Sequence, residues 1–304
     1  MEIIKPGIRI DFMHWRNLAM VGSTLVLLAG LISMVLKGGP QYGVDFSGGT
    51  LFQIQFKQEV PVERVRRAMA GAALGETNIQ RLGTSREFLV RAGLTLTRLE
   101  EITPKVRQAL AKEFGAGNFE IRREETVGPT VGKDLTRKAI LAMAYGMLGI
   151  LIYVSVRFHY TFAFGGVIAL IHDVMITIGI FSLTNKEIDL NIIAALLTIA
   201  GFSINDTIVI FDRIRENLKK TRKADFGELV NQSVSECLGR TTLTSSTVIV
   251  VLLALFLFGG QVLHDLSFAL LVGTLSGVFS TVFIASPIVL MWPKRFLGKV
   301  SWSR

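Results

Sequence analysis

Six long apolar stretches, separated by charged or turn-rich segments, decide most of what this chain can fold into. The first runs from Asn17 to Leu36, and five more follow near Ala139–Val156, Thr161–Leu183, Leu190–Phe211, Thr241–Phe258 and Leu266–Trp292. Each is close to the ~20 apolar residues that cross a bilayer. Amides in hydrocarbon must be satisfied within their own segment, so all six are expected to be helices. Half of the 304 residues are apolar, and a soluble chain would spread them at helix or strand periods instead of gathering them in blocks. The first block exceeds the ~7–15 apolar residues of a signal peptide, and no A-x-A site precedes Gly38-Gly39-Pro40, so a retained anchor is expected.

The net charge of +9 does not mark a nucleic-acid surface, because the basic residues flank the spans. Lys5, Arg9 and Arg16 precede the first, and Arg157 lies between the second and third. Arg213, Arg215, Lys219, Lys220, Arg222, Lys223 and Arg240 lie between the fourth and fifth or at their ends, and Lys294, Arg295, Lys299 and Arg304 follow the sixth. The loops Thr184–Asp189 and Gly259–Asp265 contain only Lys186. That asymmetry predicts cytoplasmic termini, and the long region after the first span is then exported. The basic residues set topology and are suited to anionic lipid. One cysteine, Cys237, falls on the cytoplasmic side, so no disulfide staples the exported region.

The expected organisation is a cytoplasmic N-terminus and anchor over 1–37 and an exported domain over 38–134. A five-helix membrane domain over 135–293 follows, with a cytoplasmic loop 213–240 and a tail over 294–304. Within the exported region Thr50–Phe56 alternates like a strand, and Pro61 opens a helical stretch, Val62–Leu74. Asn78–Leu82 and Glu87–Arg91 read as strands joined by a Gly83-Thr84-Ser85 turn. Leu96–Phe114 is amphipathic, and Phe119–Thr126 alternates again. The order βαββαβ predicts an α+β, ferredoxin-like domain.

Ionisable residues inside spans are costly, at least ~2.5–3.5 kcal/mol at mid-bilayer on insertion scales, and so are candidates for function. Asp206 lies in the fourth span, seven residues before Arg213, roughly 10 Å of helix. Thr198, Gly201 and Asn205 lie beside it at spacings that suit close packing and hydrogen bonding. Either Asp206 is held inside the membrane or the span is shifted and it sits among headgroups; the apolar run Ile208–Phe211 beyond it favours the first. Arg240 opens the fifth span and is followed by Thr241, Thr242, Thr244, Ser245, Ser246 and Thr247. It is either a partner for Asp206 or a snorkelling anchor, and the hydroxyl run favours a polar lining. Asp173, beside His172, lies on a stripe with Gly166, Ala169 and Thr177; a proton relay and a packing hydrogen bond are both open. Burial favours a neutral carboxyl and a nearby guanidinium favours the charged form. A carboxylate and an arginine that move relative to one another would therefore load and release a proton.

No catalytic set competes. Gly48-Gly49 after Asp45 lacks the GxxxxGK[ST] pattern of a phosphate loop. The four histidines, His14, His159, His172 and His264, have no metal spacing, and neither metal nor cofactor is expected. Asp212–Asn217 reads as a solvated helix end, and Gly273–Gly277 as a small-xxx-small packing face.

Tyr42–Thr50 (YGVDFSGGT), with Asp45, Gly48 and Gly49, resembles the segment entering the exported domain of the SecF branch of the SecD/SecF protein-export family, within the RND superfamily. Val127–Gly132 (VGPTVG), with Gly128 and Pro129, is similar to that family's return to the membrane. Ala169–Ser182, Gly201–Asn217 and Arg240-Thr241-Thr242 are similar to its third, fourth and fifth spans, and the resemblance covers essentially the whole chain. Phe202 departs from it, standing where the family usually has tyrosine. The resemblance implies an accessory subunit, not an enzyme, that uses the proton gradient to promote late export of polypeptides. It implies a separate SecD partner, the SecYEG channel, a YidC-type insertase and a bacterial or archaeal cell membrane. It assigns the proton-linked pair to Asp206 and Arg240. From the residues alone, an RND-like small-molecule exporter subunit and a membrane-anchored assembly module without proton coupling are the rival classes.

Overall fold

A computed structural model describes residues 10–72, 77–81, 85–93, 99–220 and 225–291. In chain order the elements are α1 (Arg16–Leu36), α2 (Val44–Ser47), β1 (Gly49–Phe56), α3 (Val62–Gly71), β2 (Thr77–Arg81), β3 (Glu87–Ala92), α4 (Leu99–Phe114), β4 (Phe119–Val127) and α5 (Pro129–Arg157). Then come α6 (Tyr160–Leu183), α7 (Leu190–Lys220), α8 (Phe226–Phe258), α9 (Gly260–Ser280), a π turn (Thr281–Ala285) and α10 (Ser286–Leu290). They form two compact units, one of Met1–Gln41 with Ala142–Arg304 and the other of Tyr42–Leu141. The expected turn at 83–84, the helix start at 96–98 and the basic residues at 5, 9, 222, 223, 294, 295, 299 and 304 lie outside the described residues.

The smaller unit is a four-stranded antiparallel sheet in the order β2-β3-β1-β4. β1 is central, and the alternation seen in its sequence sorts its side chains between two faces. Phe52, Ile54 and Phe56 meet Val65, Met69, Ile102, Val106 and Leu110 of α3 and α4 in one apolar core. β1 is nevertheless buried over nearly its whole length, because Leu51 and Gln53 on its other face are covered too. Gln53 satisfies its amide by donating to Glu87 at 2.8 Å. Phe56 packs against Phe114 with ring centroids 4.7 Å apart, and the Arg64 guanidinium lies over the Phe114 ring at 4.9 Å.

The segments that enter and leave this unit meet each other. Gly48 and Gly49 have φ of +71° and +116°, conformations that L side chains avoid. A Cβ at Gly49 would also lie 2.5 Å from the Ala92 carbonyl oxygen. Gly49 pairs with Val127 at the far end of the unit. Gly132 lies so close that a Cβ would be 3.2 Å from the Phe46 carbonyl oxygen and 3.4 Å from the Gly48 nitrogen. Pro129 starts α5 where its missing N–H is not needed.

Among the described residues, six helical stretches are long and apolar enough to cross a membrane: α1, α5, α6, α7, α8 and Leu263–Leu290. α6 and the last stretch are the most buried, whereas α1, α5 and α8 leave most of their apolar surface exposed. The segment between the fourth and fifth spans is helical over 213–220 and 226–240, in keeping with the helix end read at Asp212–Asn217, so α7 and α8 run on past their apolar spans. Polar pairs hold these extensions together: Arg213 donates to Glu236 at 2.5 Å and Asn217 to Ser233 at 3.0 Å, while Lys220 and Glu216 pair within α7 at 2.6 Å. The sixth span is interrupted by the π turn. Pro287 lacks an N–H and its ring would clash with the carbonyl four residues back; the wider turn before it relieves both problems. The Ser286 hydroxyl donates to the Thr281 carbonyl at 2.8 Å.

α1 is fixed to α6 by small residues and hydroxyls. A Cβ on Gly30 would sit 2.6 Å from the Gly179 Cα, and Ser33 and Ser182 hydrogen-bond at 2.9 Å. Lys37 donates to the Ser182 carbonyl and, at 2.7 Å, to Asn185 Oδ1. Cysteines replacing Ser33 and Ser182, in a Cys237→Ser background, should cross-link readily under oxidation. Adding Gly30→Leu, which cannot fit against Gly179, should remove most of that cross-link on a denaturing gel.

Candidate functional site

Two carboxylates are buried in the larger unit, Asp173 on α6 and Asp206 on α7. Helix phase separates their surroundings. On α7 the residues at 199, 203, 206, 207 and 210 turn inward, while Ala194, Thr198, Gly201 and Asn205 form an exposed stripe. The stripe expected to pack beside Asp206 therefore lies on another face, because α6 and α9 claim the Ile199–Ser203–Thr207 side. The structure does not bring Asn205 into either cluster.

Asp206 is 5% exposed. It faces α8, where Thr241 and Ser245, one turn apart, are buried. Ser245 lies against the Asp206 carboxylate, and Arg240 is the charged residue whose field reaches it. Arg240 is exposed and makes no ion pair with Asp206 within 4 Å. Asp206 Oδ2, Thr241 Oγ1 and Ser245 Oγ are all sealed from solvent and have no hydrogen-bond partner among the described residues. Buried polar atoms are nearly always paired, so three unspent ones on facing sides of two helices mark a place where hydrogen-bonding capacity is kept in hand. The remaining hydroxyls of the run divide: Thr244 and Thr247 are exposed and bond back to Arg240 and Thr244 carbonyls of their own helix at 3.0 and 2.7 Å. Only Thr241 and Ser245 line the site.

Asp173 is fully buried and its hydrogen bonds are complete. Oδ1 accepts from Ser276 at 2.7 Å and from His172 Nδ1 at 3.0 Å; Oδ2 accepts from Ser203 at 2.6 Å and from Ser280 at 2.7 Å. The other nitrogen of His172 bonds to Ser23 of α1. His172, Ser23 and Ser276 also line an apolar cavity of about 420 Å³ between α1, α6 and α9. Thr177 returns its hydroxyl to the Asp173 carbonyl at 2.8 Å.

Close approach of α7 and α9 makes this possible. A Cβ on Gly273 would meet Ile199 at 2.3 Å, and one on Gly277 would meet Ser203 Cβ at 3.1 Å. Gly273 and Gly277 thus let the Ser203 hydroxyl reach Asp173, and Thr207 bonds to Thr281 at 2.9 Å one turn further along. Ser276, Ser280 and Thr281 did not stand out in the sequence. Their signal was present as hydroxyls at i and i+4 around Gly277, inside an apolar span where leucine would be cheaper. Asp45, Gly48, Gly49, Gly128 and Pro129 belong to the smaller unit's entry and exit. Cys237 is buried with its sulfur 3.9 Å from the Val209 carbonyl. Among the described residues no group of three His, Cys, Asp or Glu is placed to hold a metal.

Overpacking at Gly277 should cost ~1–3 kcal/mol. Gly277→Val is expected to lower the melting temperature of the detergent-solubilised chain, whereas Gly201→Ala, with nothing within 4 Å of the added methyl, should not.

The family "Protein export membrane protein SecD/SecF, C-terminal" matches residues 106–295, and the "SecD/SecF GG Motif" matches residues 34–60. The chain is 42% identical to the protein translocase subunit SecF of Magnetococcus marinus over 99% of this chain and 97% of that one. It is 39% identical to the same subunit of Calditerrivibrio nitroreducens over 96% of each. Among solved structures it is similar to SecDF, described as a translocon-associated membrane protein, from Thermus thermophilus, with a TM-score of 0.85 and 37% identity over 94% of this chain. A SecDF structure in a super-membrane-facing form matches with a TM-score of 0.68 and 36% identity over 98% of this chain. The chain spans about two fifths of the length of those SecDF chains, 39% and 40%.

Proposed function

The chain belongs to the SecD/SecF family of protein-export membrane proteins, and from that premise we propose how it works. It is a multi-pass accessory subunit of the Sec protein translocase. It acts with a SecD-type chain, which would supply the rest of the length that the solved SecDF proteins carry in one polypeptide. The complex promotes late export of unfolded polypeptides through a SecYEG channel, beside a YidC-type insertase, in a bacterial or archaeal cell membrane. The charge asymmetry of its loops supports cytoplasmic termini. The region from about 38 to 134 is then exported. The element order of that region, with sheet order β2-β3-β1-β4, supports a ferredoxin-like domain, in which each βα unit is split by an intervening strand.

The proton gradient drives the cycle, and Asp206 loads the proton. One observation carries this reading: Asp206 Oδ2 is buried and unspent, opposite two unspent hydroxyls and within the field of Arg240. Burial favours the neutral carboxyl and the guanidinium favours the anion. Because Arg240 is held by no ion pair with Asp206, a small displacement of α8 along α7 changes the balance. Each proton crossing supplies ~2.3 kcal/mol per 100 mV, enough for a few protons to shift a two-state equilibrium decisively. His172 and Asp173 form a second polar cluster, on the other side of α7, where Ser203 links it to the helix that carries Asp206.

The test uses inverted vesicles containing the complete translocase. Asp206→Asn should leave insertion and SecD binding intact and remove the response of export to the proton gradient, with Arg240→Ala losing most of it. Full retention of that response in Asp206→Asn would refute the coupling. Accumulation of a small solute, instead of exported precursors, on loss of the chain would favour the exporter class.

A further inference from the structure

We propose that Asp173 is a positioning residue: a fixed anionic hub that sets the register of α7 against α6 and α9 and so holds Asp206 in its working place. The inference rests on the proposed role of Asp206.

A carboxylate has about four acceptor sites and no donor. Asp173 fills four, two on each oxygen, with donors from His172, Ser203, Ser276 and Ser280. No acceptor site of the carboxylate is left over. Protonation would place an O–H among groups that already donate, and one serine would have to turn its own hydrogen away. Asp206 is the converse, a buried carboxyl with capacity left over. The two acids therefore differ in what their surroundings allow, though both are buried in spans.

The hub's bonds bear on Asp206 through α7. Ser203 is one turn before Asp206, ~4.5 Å along the axis, and is tied to Asp173 at 2.6 Å. Thr207, the next residue after Asp206, is tied to Thr281 at 2.9 Å. Thr281 directly follows Ser280, another ligand of the hub, and begins the π turn. α7 is thus pinned on both sides of Asp206, which fixes the helical phase that aims its carboxyl at Ser245 on α8. The titratable and charged groups around the hub are few. His172 faces it from α6, α1 contributes Ser23 through that histidine, α9 contributes only serines, and α7 contributes Ser203 with Asp206 itself a turn away. His172 spans the gap, with Nδ1 at 3.0 Å from Asp173 and its other nitrogen bonded to Ser23.

The experiment follows the pH profile of gradient-driven export in vesicles carrying the full complex, together with membrane abundance of the chain. An amide at position 173 offers one acceptor oxygen and an NH2 that faces hydroxyl donors, so Asp173→Asn should release α7. It is expected to retain a gradient response but to move its pH midpoint by about one unit or more, the equivalent of a tenfold change in proton affinity. Ser276→Ala should move the midpoint part of the way. Ser276→Thr keeps the hydroxyl, has the neighbouring cavity to take its methyl, and should restore the parental midpoint. If Asp173→Asn inserts poorly, the Ser276 pair carries the test. An Asp173→Asn protein that inserts normally and has no gradient response at any pH would make Asp173 a carrier and overturn the proposal. A loss of amplitude that follows abundance, with an unmoved midpoint in every variant, would reduce the hub to packing and also overturn it. If Asp206→Asn keeps its gradient response, the proton reading itself has failed, whatever Asp173 does.

Discussion

Hydrocarbon accepts a carboxylate only when something in the protein replaces its water, and this chain meets that constraint twice in different ways. Asp173 is given four hydrogen-bond donors. Asp206 is given the field of the Arg240 guanidinium and hydroxyls that it does not fully use. Much of the membrane unit's architecture serves the first arrangement. Gly273 and Gly277 bring α9 against α7, so that Ser203, Ser276 and Ser280 converge on one point of α6. The wide turn before Pro287 begins at Thr281, where α7 receives its second tie. A rigid inner group of α6, α7 and α9 results, and α8 faces Asp206 through buried hydroxyls that hold back hydrogen-bonding capacity.

The smaller unit solves a different problem, that of a small domain without disulfides. Its central strand is covered on both faces, and Phe52, Ile54 and Phe56 join two helices in one core. The segment that enters it and the segment that leaves it pack together at Gly48, Gly49 and Gly132. Only glycine satisfies both the positive φ of Gly49 and the approach of the Ala92 carbonyl. The two sequence motifs that flank the domain are therefore one structural feature, brought together from positions some eighty residues apart.

Helix count and element order were legible because they rest on local patterns. Apolar blocks of bilayer length give spans, and alternation broken by Pro61 and Gly115 gives strands and helices. Asp206 and Asp173 were legible because an acid among leucines is conspicuous. Their environments were not, since those depend on helix phase and on which neighbours a helix chooses. Thr198, Gly201 and Asn205 share a face beside Asp206, yet that face is exposed while Asp206 turns inward. The hydroxyls of α9 were hidden for the same reason: a serine in a span reads alike whether it bonds to its own backbone, as Ser233 does to Leu229 at 2.8 Å, or to a carboxylate on another helix. The end of α7 was legible as a charged helix end at Asp212–Asn217, but its pairing with the start of α8, through Arg213 and Glu236, depends on how two helices meet.

The claim that one buried acid moves a proton and the other stands fixed is tested most directly by infrared difference spectroscopy of the reconstituted complex, comparing low and high pH. A buried carboxylic-acid C=O band that titrates is expected, lost in Asp206→Asn and retained in Asp173→Asn. A titrating band that disappears with Asp173→Asn and survives Asp206→Asn would contradict it.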